Sequence, residues 1–550
     1  MKGITGFLSP NKPNTLQYIY NSYNNKFPDD KINYRDNEIV ILFDGCLLNL
    51  TELKLTYNST DFITLIKCMW EKYDKDVICY LKGSFVLVIC DIKNNRLLIT
   101  NDRLSKRPLY YYLGEVTAFS SRFYDLVALL KERKTPLTPD DLGIAMMLQK
   151  GFLWGNCTYI KEILILRQYE SILVYDGKTE LMKTTDVTFG SCQDTEQIAL
   201  QRFNTLFVEA VKLQFRKNEE SGYTQITTLS GGMDSRSVLL AAKKVGFTNI
   251  TCLTYAQSRS NDFEISTSIA SDNNLDIFFY PLDTANFLTD PWPRSDLNEG
   301  MHSYFGSTGA YTVFHNICDN NRGIIHCGLL GGEQLGDQYP VPYLRLKANV
   351  FEHCKLELCD DSLVNRYEDQ ISSFKSEDEV EVFMHLRGCQ NLFRMAQDRF
   401  EIFSPFMDED VFEYLFSLPI SMKYGRLFYC KWMSQFYPNT YKTTFFNARL
   451  PKSEFDLRFK VLKRKFFYRL NNSLHRKSKM DMNPIAYWIA NNNGLDEQIE
   501  RIFYQELSRM ESHPVLSTER IVSSVRFANR LNAISTMISL NNVYCSNGFN

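Results

Sequence analysis

The stretch Leu229-Ser230-Gly231-Gly232-Met233-Asp234-Ser235-Arg236 decides the fold. Ahead of it, Thr224 to Leu229 is short, apolar and β-branched, as suits a parallel strand buried on both faces. Behind it, Ser237 to Val245 has helical spacing, so Ser230 to Ser235 falls between the carboxyl end of a strand and the amino end of a helix. Anions bind at such junctions. Paired glycines let the backbone turn tightly and approach a phosphate, and the free N–H groups of the first helical turn point at it. Ser230 and Ser235 add hydroxyl donors, and Asp234 adds a carboxylate that a phosphate would repel unless a magnesium ion stood between them. The residues read as a cradle for magnesium pyrophosphate, with a plain glycine turn as the alternative.

Working outward, Ile250 to Tyr255 is a second short apolar strand, a helix runs from Asn261 to about Ser271, and Ile277 to Tyr280 is another strand. This alternation predicts a doubly wound parallel sheet with its ligand site beyond the carboxyl ends of the strands. Leu253 to Ala256, Leu253 and Thr254 among them, would then lie beside a nucleotide base. Gly323 to Asp337 reads as a further strand closing in a glycine-rich loop that contains Cys327-Gly328. Upstream, Gln193 to Glu220 reads as a link and a long helix, with Asp194 as N-cap and Ile198, Phe203, Leu206, Phe207 and Val211 on its apolar face. Before that lie short strands separated by turns, which imply stacked antiparallel sheets. The expected fold is an α+β domain at residues 1–190, then an α/β doubly wound domain with a helical carboxyl-terminal part at 191–550.

A length of 550 residues allows two or more domains, each with its own core. The formal net charge of -2 argues for neither a nucleic-acid nor a membrane partner. The 14 cysteines are scattered without a Cys-x-x-Cys pair, which speaks against zinc and for a reducing compartment. MKGITGFLSPNKPN lacks the apolar core of a signal peptide, and no apolar run reaches membrane-spanning length, so a cytoplasmic protein is expected.

Several of these stretches carry a resemblance. SGGMDS is similar to the pyrophosphate loop of the N-type ATP pyrophosphatases, and MKGITGF resembles the start of class II glutamine amidotransferases. Leu81 to Tyr112 and Ala118 to Ser121 resemble later segments of the same amidotransferase domain. Glu401 to Asp408 and Gly425 to Pro438 resemble stretches of asparagine synthetase-like proteins. The chain as a whole resembles the asparagine synthetase-like family, in order along nearly its whole length. The resemblance implies an Ntn-hydrolase-like amidotransferase domain followed by an adenylating domain that uses ATP and Mg2+. It places Leu229, Ser230, Gly231, Gly232, Asp234, Ser235, Leu253, Thr254, Cys327 and Gly328 around the nucleotide. Catalytic roles would fall to Asp234 and to Lys452, whose charge would offset that building in the transition state.

The chain also departs from the family pattern. Lys2 stands where the family carries its nucleophilic cysteine, and Asp44 replaces the glutamine-binding asparagine. Both changes argue against glutaminase activity. The metal-facing aspartate aligns with Gly332, so Glu333 would serve as the metal ligand beside Asp234, with Asp337 as the other candidate. On an extended chain, neighbours such as Gly332 and Glu333 point opposite ways. Asp262 reads either as an acidic residue near the magnesium or as a surface N-cap. Arg458 to Lys479 is basic with interleaved aromatics and reads as a solvated amphipathic helix whose rings enter the core.

The expected function is an ATP-dependent amide-bond-forming ligase that adenylates a small-molecule or peptide carboxylate and joins it to an amine not drawn from its own glutamine hydrolysis. β-Lactam synthetase and the lasso-peptide cyclases are members with the same loss, which implies a precursor peptide or a pathway enzyme as partner. The alternatives are amidation with free or partner-supplied ammonia and an inactive scaffold.

Overall fold

Among the described residues, strand pairing gives three sheets. The computed structural model describes residues 2–337 (without 154, 176, 303 and 319), 361–371, 377–438, 479, 481–511 and 527–544, together with 459, 462, 463, 466 and 470. The amino-terminal strands are β1 (Gly3–Leu8), β2 (Gln17–Asn21), β3 (Ile32–Arg35), β4 (Ile39–Leu47), β5 (Gly83–Asp91) and β6 (Arg96–Asn101). They continue with β7 (Tyr110–Leu113), β8 (Thr117–Ser120), β9 (Leu164–Ile165), β10 (Glu170–Tyr175) and β11 (Lys178–Lys183). One sheet runs β2-β1-β8-β7-β9 and the other β11-β10-β6-β5-β4-β3, with antiparallel neighbours.

The pleat explains why β4 is buried along its whole length. Ile39, Ile41 and Phe43 point one way, into a cluster with Phe62, Leu65, Ile66 and Met69 of the helix Phe62–Tyr73. Val40 and Leu42 point the other way, onto Ile4, Leu8 and Phe119 of the facing sheet. That facing sheet turns Tyr110 and Ala118 outward against Phe123 and Leu126 of the helix Phe123–Glu132. The result is four layers, helix, sheet, sheet, helix.

The third sheet consists of β12 (Gln225–Thr228), β13 (Ile250–Ala256), β14 (Ile277–Pro281), β15 (Ile324–His326) and β16 (Glu401–Phe403). Its order is β14-β13-β12-β15-β16 and every neighbour is parallel. The chain moves outward from β12 through β13 to β14, then returns to the far side of β12 for β15 and β16. The order therefore reverses at β12, which makes the β12/β15 boundary the crevice where ligands of such sheets sit.

The helix Glu196–Glu220 joins the two parts, and its start differs from the sequence expectation. Its N-cap is Thr195, while Asp194 accepts a hydrogen bond from Tyr414 Oη at 2.8 Å. Phe203, Phe207 and Val211 are buried as the spacing requires, but Ile198 is 53% exposed while its neighbours Ala199 and Leu200 are buried, because at about 100° per residue it falls on the face opposite Phe207. Phe459 and Phe466, expected in the core, are also exposed, and Phe467 and Tyr468 lie outside the described residues. Among the described residues no helix is long and apolar enough to cross a membrane.

Under β12, the His326 ring is wholly buried and stacks on Phe215 with centroids 3.6 Å apart. Its Nε2 lies 3.0 Å from Gln225 Oε1. Burial pulls its pKa down to about 3, so the folded chain holds it neutral. The unfolded chain takes up a proton below pH about 6.5, so this histidine withdraws stability as pH falls through that value. Asp102 and Asp408, buried and pushed up to about 6, act in the opposite sense. A comparison of the parent with His326→Gln isolates the histidine. Urea unfolding at pH 7 and pH 5 should show the parent losing about 2 kcal/mol relative to the variant over that interval.

Candidate active site

The loop after β12 closes on itself before any ligand is considered. Leu229 N–H donates to Leu253 O at 2.8 Å, and Thr254 Oγ1 donates to Leu229 O at 2.6 Å, so the loop leaves the sheet pinned to β13. Ser230 N–H then donates to Ser235 Oγ at 3.0 Å, and the two serine hydroxyls are themselves 3.0 Å apart. Gly232 N–H donates to Ser230 Oγ at 3.2 Å, and Gly231 N–H donates to the Asp262 carboxylate at 2.8 Å. The helix Met233–Lys244 starts immediately after, with Gly232 as a cap that has no side chain.

Asp262 is thus neither a surface cap nor an isolated acid. Ser260 caps its helix, Asn261–Asp272, through a bond from Phe263 N–H, which frees the Asp262 carboxylate to turn inward and brace the loop. The glycines differ from expectation as well. Gly232 has φ -73° and ψ 158°, ordinary extended backbone, and Gly231 is not left-handed either, so neither is required by a turn. Nor does crowding require them strictly: a Cβ on Gly232 would meet only Ser230 Oγ, at 3.2 Å, and one on Gly231 would meet Asp262 Oδ1 at 3.2 Å.

The crevice is walled on the cradle side by Leu229, Ser230, Asp234 and Ser235, and on the β13 side by Leu253, Thr254 and Asp262. Cys327, Gly328 and Glu333 come from the segment after β15. Gly231 and Gly232 shape the loop but do not line the crevice. Lys452 lies outside the described residues. Tyr255, within the stretch Leu253 to Ala256 that the sequence placed beside the base, and Phe314, Phe393, Ile402 and Met482, to which sequence spacing did not point, add apolar surface suited to a flat or apolar group. Leu330, also on the wall, is held at φ 74° while wholly buried, a conformation that a non-glycine residue keeps only where its surroundings impose it.

Gly332 and Glu333 are helical and not extended, so the alternation of an extended chain does not apply there and Glu333 faces the crevice. Burial and the Glu333 charge together push the Asp234 carboxyl up to about 6, against a hydrogen bond of 2.7 Å donated by Tyr429 Oη. Two carboxylates lining one crevice, one held against ionisation by burial and by the charge of the other, are what a divalent cation relieves. Among the described residues no group of three metal-ligating side chains occurs. Magnesium is commonly bound by one or two carboxylates with the remaining positions left to water and phosphate, so Asp234 and Glu333 fit that ion.

The amino-terminal part meets β16 and the helix Glu409–Ser417 through ion pairs, buried at Arg107 and Lys106 and partly exposed at Arg103 and Lys82. Arg107 donates from Nη2 to Glu401 at 2.5 Å and from Nε to Ser84 O at 3.1 Å, and its Nη1 lies 3.6 Å from Asp44 Oδ2. Lys106 holds Glu409 at 2.7 Å, Arg103 holds Glu413 at 3.1 Å, and Lys82 pairs with Asp410. Asp44 itself accepts from Ser22 Oγ at 2.8 Å and lies 3.5 Å from Lys31 Nζ. Ser22 and Lys31 both approach Oδ1, while Oδ2 has no hydrogen-bond partner among the described residues and faces Arg107 as an ion pair only. Lys2, directly ahead of β1, is exposed.

Comparison with known proteins places the first of these parts in a class. Residues 29–185 match a family model described as a glutamine amidotransferase domain, and the layered antiparallel sheets are built within and around that span. One solved structure similar to the chain is the glutamine phosphoribosylpyrophosphate amidotransferase from B. subtilis, complexed with ADP and GMP. It is 9% identical, with 50% of this chain and 74% of that chain covered, at a TM-score of 0.22. No curated protein matches the sequence.

Proposed function

We propose that the chain is an ATP-dependent amide-forming ligase. The carrying observation is the junction at the switch point of the parallel sheet, where Ser230, Asp234, Ser235, Gly328 and Glu333 line one crevice and the Glu333 charge is felt at Asp234. In the proposed reaction a substrate carboxylate oxygen attacks the α-phosphorus of ATP and pyrophosphate leaves. An amine nitrogen then attacks the activated carbonyl, losing a proton as AMP leaves. Magnesium, when bound, would screen the phosphate charge from Asp234 and Glu333. The chain's own residues do the rest: the serine hydroxyls and the helix start receive the phosphates, and the apolar walls keep water from the activated acyl group.

The amine is not drawn from glutamine on this reading. Asp44 stands where the resemblance asks for an amide donor, and it is engaged by Ser22, Lys31 and Arg107. Lys2 offers no thiol. A second reading, a homologue that has lost catalysis, draws on Gly332, which has no carboxylate where the resemblance expects one.

Calorimetric titration with ATP, with and without magnesium, tests the proposal. The parent chain should bind only when magnesium is present, and a Ser230→Ala/Asp234→Ala double variant should give no heat. Absence of binding in the parent, or binding indifferent to magnesium, would sink the ligase reading in favour of the scaffold. Binding would be followed by a pyrophosphate-release screen over amino acids, peptides and sugar acids.

A further inference from the structure

Arg236 was, in sequence, only the last letter of the cradle. In the fold its side chain is 1% exposed and turns back beneath the loop. Nε donates to Gly232 O at 3.0 Å, and Nη2 donates to Gly231 O. Two consecutive carbonyls therefore face one guanidinium. A trans peptide is planar, so the N–H groups of Gly232 and Met233 must point away from Arg236. With Gly231 N–H on Asp262 and Ser230 N–H on Ser235, the peptides of this loop are oriented without a ligand.

We propose that Arg236 is a positioning residue that holds the loop in its anion-accepting conformation by retaining these two carbonyls, without touching the ligand. This rests on reading the loop as a phosphate cradle. The ligand class is a pyrophosphate-bearing anion, because a carbonyl released from Arg236 could turn its negative end toward the crevice and repel a phosphate. A rigid planar fork suits two adjacent acceptors, and a lysine ammonium does not match that geometry. Loop ordering met in advance is ordering that binding need not supply.

The test uses the full chain as parent, Arg236→Ala and Arg236→Lys. Amide hydrogen exchange is followed without ligand across residues 229–237, and magnesium pyrophosphate is titrated calorimetrically. In Arg236→Ala the loop should exchange faster while β13 and β14 stay as protected as in the parent, and affinity should fall about tenfold or more. Millimolar guanidinium should restore part of both in that variant. Arg236→Lys should stay weak, because one ammonium does not span both carbonyls. Unchanged loop exchange in Arg236→Ala, or a loss of affinity that guanidinium does not recover, would overturn the proposal. If the parent binds no pyrophosphate, the cradle reading fails, and the exchange comparison still decides whether Arg236 holds the loop.

Discussion

Replacing Arg107 by alanine is expected to lower the free energy of unfolding by about 3–5 kcal/mol, the usual cost of leaving a buried carboxylate without its partner. Glu401 is 1% exposed, and its remaining polar contact among the described residues is Asn24 Nδ2 at 3.1 Å. Asp44 would lose its guanidinium at the same time, leaving Lys31 at 3.5 Å. The loss should be felt across both parts of the chain, because Arg107 lies between β6 and β7 while Glu401 opens β16 in the parallel sheet. Urea unfolding read by near-ultraviolet circular dichroism measures it. An Arg107→Met/Glu401→Leu variant should regain much of the loss, since removing both charges leaves no unpaired ion. Equal stability of parent and Arg107→Ala would mean that the pair contributes nothing to joining the two parts.

The second large effect concerns Gly328 and not the paired glycines of the motif. A Cβ on Gly328 would lie 2.4 Å from the backbone carbon of Asp234 and 2.5 Å from Ser235 N. Those atoms belong to the start of the cradle helix and cannot rotate away as a side chain would. Gly328→Ala must therefore push the segment after β15 off the helix start and open the crevice. A stability cost of about 1–3 kcal/mol is expected for such overpacking, with loss of magnesium-dependent ATP binding. Gly232→Ala, facing only a rotatable hydroxyl, should unfold at nearly the parent's urea midpoint. Urea titration of both variants alongside calorimetry provides the check, and the reverse ranking would refute the packing argument.

Much of this was legible in sequence because the relevant physics is local. The continuous apolar runs of β4 and β5, the β-branched run of β12 and the helical spacing behind it reveal strands and their burial without reference to distant residues. That Ser230, Asp234 and Ser235 share one crevice was legible too, since they lie within six residues. Errors arose where a neighbour in space, and not in sequence, set the outcome. Asp194 looked like a cap but is taken by Tyr414, and Thr195 caps the helix instead. Asp262, read as an acid near the magnesium or as a surface cap, is not the cap, because Ser260 takes that place, and it lines the crevice while accepting from Gly231 N–H.

By itself, then, the sequence determined an antiparallel layered part followed by a parallel sheet, and the strand-to-helix junction at which we propose that an anion binds. Short-range periodicity and the junction of one strand with one helix are sufficient for that. Only the tertiary structure decided which groups hold the cradle in shape. Tyr429 reaches Asp234 across 195 residues of chain, Glu333 faces it because a helix replaces an extended segment, and Gly328 is confined by a helix start from another part of the sheet. These contacts form where strands distant in sequence are brought side by side at the reversal in strand order, and no spacing along the chain encodes that meeting.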